Sequence, residues 1–185
     1  MKWINFRRTV AQVCGVLTVT LSLANASDKP NVLLFLVDDM GLMDTSVPFV
    51  IGPDGEPEIQ ELNQFYRTPS MAKLAAKGVR FSQFYANSVC SPSRVSLLNG
   101  QSSARHHTTQ WIDHQGKNSG PAAWNWEGIK PGDVTLPTLL KSAGYATIFC
   151  GKGHLGPAGY AGEDPTKLGF HVNIGGSAIG EPGSY

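Results

Sequence analysis

The sequence predicts an α/β domain built on a mainly parallel sheet flanked by helices, and three observations carry that expectation. The apolar run Asn-Val-Leu-Leu-Phe-Leu-Val at positions 31–37 ends abruptly in Asp38 and Asp39. A run too short for a typical helix, and without alternation, fits a central parallel strand covered on both faces. Strand-like and helix-like stretches then alternate along the chain, as they do where crossovers link parallel strands. Two acids and Gly41 at the carboxyl end of the first strand put polar chemistry where open α/β sheets hold their sites.

Taken in order, residues 44–67 are rich in proline, glycine and acids and read as a long loop. Thr68-Pro69 starts a helix as N-cap and first-turn proline, with Met71, Leu74 and Ala75 as its apolar stripe and Gly78 as its stop. Residues 79–85 alternate well enough for a strand. Cys90-Ser91-Pro92-Ser93-Arg94 leads into an apolar segment that Gly100 ends, which places Cys90 at a helix N-terminus. Residues 101–132 are irregular and carry Trp111, Trp124 and Trp126 with His106, His107 and His114. Thr135 caps a further helix, where Leu136, Leu139, Leu140 and Ala143 fall at helical spacing before Gly144. Residues 145–150 read as a strand running into Gly151-Lys152-Gly153-His154. Beyond Leu155 the chain is glycine-rich, without a further convincing helix, and it reads as cut rather than finished.

The 185 residues are 41% hydrophobic and 16% charged, which suits one globular domain and excludes a disordered, coiled-coil or collagen-like chain. Of 15 basic and 14 acidic side chains, Lys2, Arg7 and Arg8 lie at the extreme N-terminus, so the body is slightly acidic. A near-neutral body gives no electrostatic reason to expect nucleic acid as a partner. Residues 1–26 read as an export signal: a basic start, an apolar run over 10–23, and Ala24-Asn25-Ala26 as small residues for cleavage. That run is too short and too rich in Thr, Ser and Gln for a stable membrane anchor. Secretion or a periplasmic location follows as the expectation. Cleavage would remove Cys14 and leave Cys90 and Cys150, which in an oxidising compartment would ordinarily pair.

The paired acids Asp38-Asp39 are either caps and turn residues or the beginning of a site for a hard cation, which needs several more oxygen ligands. Cys90 alone reads as a buried thiol, half of a disulfide, or a thiolate activated by the helix N-terminus and Arg94. A thiol hydrolase would need a histidine partner; His106, His107 and His154 are available, but none lies in a recognisable thiol-protease pattern. Lys152 and His154, at i and i+2 in extended backbone, share a face and could address one ligand, although such a turn is by itself more often a surface loop.

The continuous stretch from Cys90 to Gly100 resembles the sulfatase signature Cys-x-Pro-Ser-Arg-x-x-x-x-x-Gly. Two more blocks match that family in its order: residues 31–41 with their Asp-Asp pair, and Gly151-Lys-x-His-Leu-Gly156. The resemblance implies an alkaline-phosphatase-like α/β fold, with residues 27–185 as the N-terminal part of a catalytic domain. It also implies that a maturation enzyme oxidises Cys90 to formylglycine, rather than Cys90 pairing with Cys150. In the implied mechanism a hydrated aldehyde attacks sulfur with one hydroxyl and releases sulfate by deprotonation of the other. Asp38, Asp39 and the modified Cys90 would hold a calcium ion, Arg94 would steady the diol, Lys152 the sulfate, and His154 would orient or deprotonate the diol. The helix N-terminus beside Cys90 adds partial positive charge.

Three residues depart from the family pattern: Asn99 stands where Thr is commoner, Gln101 where Arg is commoner, and Gly153 replaces a bulkier residue, often Trp. The family's later acid and amide metal ligands, later histidine and lysine, and C-terminal subdomain have no counterpart in these residues. His106, His107 and Trp111 are candidates for substrate contact, since aromatics and histidines in such a loop either pack the domain or stack on sugar rings. The expected activity is hydrolysis of sulfate esters, with a carbohydrate as the expected substrate. The alternatives are a phosphate or phosphonate monoester hydrolase of the same superfamily, and a secreted, non-catalytic calcium- or glycan-binding fragment.

Overall fold

The computed structural model describes residues 29–181, and the export signal expected at 1–26 lies outside the described residues. The chain divides into two units, one ending at Val37 and one running from Asp38. In the first, residues 29–37 form no helix or strand and their side chains are exposed, Leu33 at 89% and Phe35 at 83%. The buried strand expected at 31–37 is therefore not formed. A strand covered on both faces needs ladder partners and packed layers, and the only sheet among the described residues lies elsewhere. The strand expected at 79–85 is likewise absent, and Phe81, Phe84 and Tyr85 are exposed.

Among its described residues the second unit is mixed α/β: five α-helices, two 3₁₀ turns and a two-stranded parallel sheet. Strand β1 (Ile148–Cys150) pairs in parallel with β2 (Val172–Ile174), in the register Ile148↔Val172, Phe149↔Asn173 and Cys150↔Ile174. The long loop expected over 44–67 contains a short helix, α1 (Glu61–Phe65), that proline and glycine content had masked. Buried Asn63 ties it down by donating to Thr45 O at 2.8 Å and accepting from Gln60 N at 2.9 Å. Helix α2 (Pro69–Lys77) forms between Thr68 and Gly78 as expected, yet none of its residues is buried and Leu74 is exposed. The Thr68 hydroxyl takes no part in capping; it accepts from Ser46 N at 2.9 Å.

Helix α3 (Cys90–Asn99) carries the central block, and Gly100 ends it in the left-handed conformation (φ 68°). Its Val95 and Leu98, three residues apart on one face, pack with Ile129, Leu155 and Leu168 into the core; Phe149 and Phe170 border it, rings 5.1 Å apart. The core thus lies under the helix that begins at Cys90 and beside the loop that follows β1. Helix α4 (Ser103–His106) is a single turn inside the irregular 101–132 stretch. Helix α5 (Leu136–Ser142) starts at Thr135 as expected, but buries Pro137 rather than an apolar stripe, and Leu139 is exposed. Among the described residues no helix is long and apolar enough to cross a membrane.

Thr135 is buried and does two jobs: its hydroxyl accepts from Thr138 N and donates to Leu168 O at 2.7 Å, joining α5 to the core. Thr135→Ala removes a cap and strands a buried carbonyl, so urea denaturation should show a loss of about 1–2 kcal/mol. Thr135→Ser should lose much less.

Candidate active site

Helix α3 presents Cys90 as its first residue because the chain before it is tied back. Ser93 Oγ donates to Val89 O at 2.9 Å and accepts from Asn87 N at 3.0 Å. Pro92 is buried in the first turn, where the missing N–H has no helical acceptor to lose. Sequence reasoning gave Ser93 and Asn87 no part; Ser93 closes the approach to the helix, and its place three residues after Cys90 is the signal that could have shown it.

One helical turn on, Arg94 is buried and reaches two distant stretches of chain. Its Nη2 pairs with Asp38 Oδ1 at 3.0 Å and its Nη1 donates to Lys152 O at 2.7 Å. Lys152 Nζ pairs with the other Asp38 oxygen, Oδ2. Burial would raise the Asp38 pKa, but hydrogen bonds and charge from Lys152 and Arg94 outweigh it and hold the carboxyl below its usual value. The turn after Asp38 is closed by Asp44, whose Oδ2 accepts from Gly41 N at 2.7 Å. Asp39 has a left-handed backbone (φ 53°), is exposed, and joins none of these pairs.

His154 is buried and sits in the left-handed region at φ 56°, a strained place for a residue with a Cβ. It is held there from three sides. Its backbone N–H donates to Ser177 O at 2.9 Å, its Nε2 lies 2.6 Å from Ile112 O, and its Nδ1 faces Cys90 Sγ at 3.2 Å. Burial lowers its pKa; the Ile112 carbonyl raises it, the charges of Lys152 and Arg94 lower it further, and the net direction is down. Gly153 is required by the same contact: a Cβ there would stand 2.6 Å from Ser177 O. The bulkier residue common at this position has no room while residues 175–180 lie against His154. That covering segment was not foreseen from the sequence.

Cys90, Arg94, Lys152, His154 and Asp38 therefore meet at one place, at the first turns of α3. Cys90 and Cys150 are both free thiols, the latter exposed on β1. The other candidates point elsewhere. His106 is buried with both ring nitrogens engaged, Nε2 with Ser96 Oγ at 2.8 Å and Nδ1 with Thr108 N at 3.1 Å. His107, left-handed and exposed, lines an open cavity of about 420 Å³ with Arg105, Trp124 and Lys130, toward the other end of α3. Trp111 is exposed, next to the buried Ile112.

For a hard divalent cation, the adjacent carboxylates of Asp38 and Asp39 are donors of the right kind but too few, since such ions take six or more oxygens. Among the described residues no group of three or more His, Cys, Asp or Glu is disposed to hold a metal ion.

A thiol at a helix N-terminus, an imidazole against it and two cations around one carboxylate are thus gathered at one place. Residues 30–182, which include every member of this cluster, match the family described as Sulfatase, and the chain belongs to that family. N-acetylgalactosamine-6-sulfatase of Canis lupus familiaris is 39% identical over 139 residues, 74% of this chain and 24% of that protein. Arylsulfatase A of Bos taurus is 36% identical over 162 residues, 85% of this chain and 28% of the relative. Steryl-sulfatase of Homo sapiens is 31% identical over 159 residues, 82% and 24% respectively. The chain spans about a quarter of the length of the curated relatives it matches.

The lowered pKa of His154 has a consequence for stability. The folded state disfavours the imidazolium, so the stability gained by burying a neutral ring is complete above the ordinary histidine value of about 6.5. It is lost as pH falls from there through the folded value. Denaturation midpoints should therefore decline below about pH 6.5, and His154→Gln should flatten that part of the profile.

Proposed function

We propose that this chain serves the hydrolysis of sulfate esters on a carbohydrate, with Cys90 converted to formylglycine by a maturation enzyme and the work done outside the cell or in the periplasm. The observation that carries the reading is the placement of Cys90 Sγ 3.2 Å from His154 Nδ1, beside the Arg94–Asp38–Lys152 cluster. The unmodified sulfur stands in for the oxygens of the mature residue. N-acetylgalactosamine-6-sulfatases among the relatives support a sulfated sugar as substrate.

In its mature form the residue at 90 supplies a hydrated aldehyde, one hydroxyl to attack sulfur and a second whose proton must leave for sulfate to be released. A calcium ion held partly by Asp38 and Asp39 would polarise a sulfate oxygen. The chain's own residues do the rest. His154 Nδ1, which faces residue 90, takes the proton from the group there. The Lys152 ammonium and Arg94 guanidinium hold sulfate oxygens, and the first turn of α3 directs backbone N–H groups and its partial positive charge at the same anion. Asp38 keeps both cations in place.

The test is chemical. When the chain is produced with a formylglycine-generating enzyme, the tryptic peptide ending at Arg94 should be lighter than its cysteine form by about 18 Da. An unmodified thiol, or a Cys90–Cys150 disulfide, in an active preparation would falsify the reading. On an aryl sulfate, Lys152→Ala should lower turnover about 10²–10³-fold and His154→Ala about 10²–10⁴-fold, without reordering preference among sulfated sugars. Exhaustive chelation should abolish turnover and calcium should restore it.

A further inference from the structure

The two peptide groups that meet at the Ile112 Cα are each bonded to a buried side chain. The Ile112 N–H donates to Ser91 Oγ at 3.0 Å, and the Ile112 carbonyl lies 2.6 Å from His154 Nε2. Ser91 and Ile112 are fully buried and His154 is 5% exposed, so no water competes for these bonds. Ile112 belongs to neither helix nor strand, and its backbone orientation rests on such side-chain contacts. Asn118 bonds the same two peptide groups from their other sides, accepting from Asp113 N at 2.6 Å and donating to Trp111 O at 3.1 Å.

A carbonyl oxygen only accepts, so the nitrogen facing Ile112 must carry the proton. The neutral ring is then the Nε2–H tautomer, and its Nδ1 lone pair points at residue 90. Ser91, the residue next to Cys90, holds the Ile112 backbone on the other side of its Cα, so the helix that presents residue 90 is tied to the backbone that orients His154. Position 91 is the unspecified one in the Cys-x-Pro-Ser-Arg block, and it drew no attention in the sequence.

We propose that Ser91 is a positioning residue that, through the Ile112 backbone and together with Asn118, holds the His154 ring as the Nε2–H tautomer with Nδ1 toward residue 90; the catalytic use of that nitrogen rests on the sulfatase reading above. The hydroxyl oxygen is the working feature. Alanine at 91 leaves the Ile112 N–H buried without a partner and removes one of the two side chains that fix the backbone whose carbonyl orients the ring.

The experiment reads the ring directly and needs no turnover. The unmodified chain, labelled with ¹⁵N-histidine, is examined at about pH 8, above the ordinary histidine value, with the His154 signals assigned by their loss in His154→Gln. The wild type should show one tautomer, protonated at Nε2 and slow to exchange. Ser91→Ala should populate the Nδ1–H form and speed exchange, while Ser91→Thr, which keeps the hydroxyl, should restore the wild-type pattern. If Ser91→Ala fails to fold, Ser91→Cys, similar in size and a poorer acceptor, takes its place with the same expectation. A folded Ala or Cys variant with an unchanged tautomer overturns the proposal, as does a wild-type ring protonated at Nδ1. In mature enzyme the Ala variant should lose about ten-fold in kcat with KM little changed. A tautomer that responds in a protein without sulfatase activity would sink the functional reading and leave this inference standing; normal turnover with an unresponsive tautomer would do the reverse.

Discussion

A buried guanidinium must find partners, and that of Arg94 finds them in two stretches of chain far from it in sequence. It is 9% exposed, bonded to the Asp38 carboxylate on one side and to the Lys152 carbonyl on the other. Taking a charge out of water is costly unless it is paired and hydrogen-bonded. Arginine's flat, multiply donating head suits two acceptors that lie apart, where a lysine would serve one. The requirement therefore closes two loops at once, the turn at 38–44 and the turn at 151–154, onto the helix that starts at Cys90. Remove that pairing and three segments of the site lose their common anchor.

Close backbone contact does the rest of the positioning. Leu155 is buried in the core and its carbonyl accepts from Ile129 N at 3.0 Å. Gly156 and Gly162 pack backbone to backbone there: a Cβ on Gly156 would lie 2.6 Å from Glu127 O. A loop wedged this tightly between its neighbours can hold His154 in a conformation worth roughly 1–3 kcal/mol of strain. The unusual glycine at 153 belongs to the same arrangement, since it admits residues 175–180 against the histidine.

Helix boundaries were legible in the sequence because their signals are local. Thr68-Pro69 with Gly78, Cys90 with Gly100, and Thr135 with Gly144 each mark an end through the chemistry of two or three adjacent residues. The strands expected at 31–37 and 79–85 were not, because hydrophobicity states only that a segment can be covered and a strand exists only with partners. Strand β2 was missed for the opposite reason: three residues with half-exposed side chains give little pattern to read. In the site, the family resemblance of the three blocks named the residues that now meet, while Asp39 stands apart and His106 spends its ring nitrogens on Ser96 and Thr108. The Ile112 carbonyl was beyond reach, since a backbone acceptor has no signature among side chains.

That carbonyl explains how one ring meets two demands that usually conflict. A histidine that is to take a proton must be neutral, and it must also be oriented. An orienting carboxylate secures the second at the expense of the first, because its charge favours the imidazolium and raises the pKa. A peptide carbonyl orients the ring through the same nitrogen with only a partial charge. Against it stand burial and the two neighbouring cations, and these prevail, leaving His154 below its ordinary value. The two cations therefore weaken the hold of the imidazole on a second proton, and Asp38, lying between them, limits how far that effect goes.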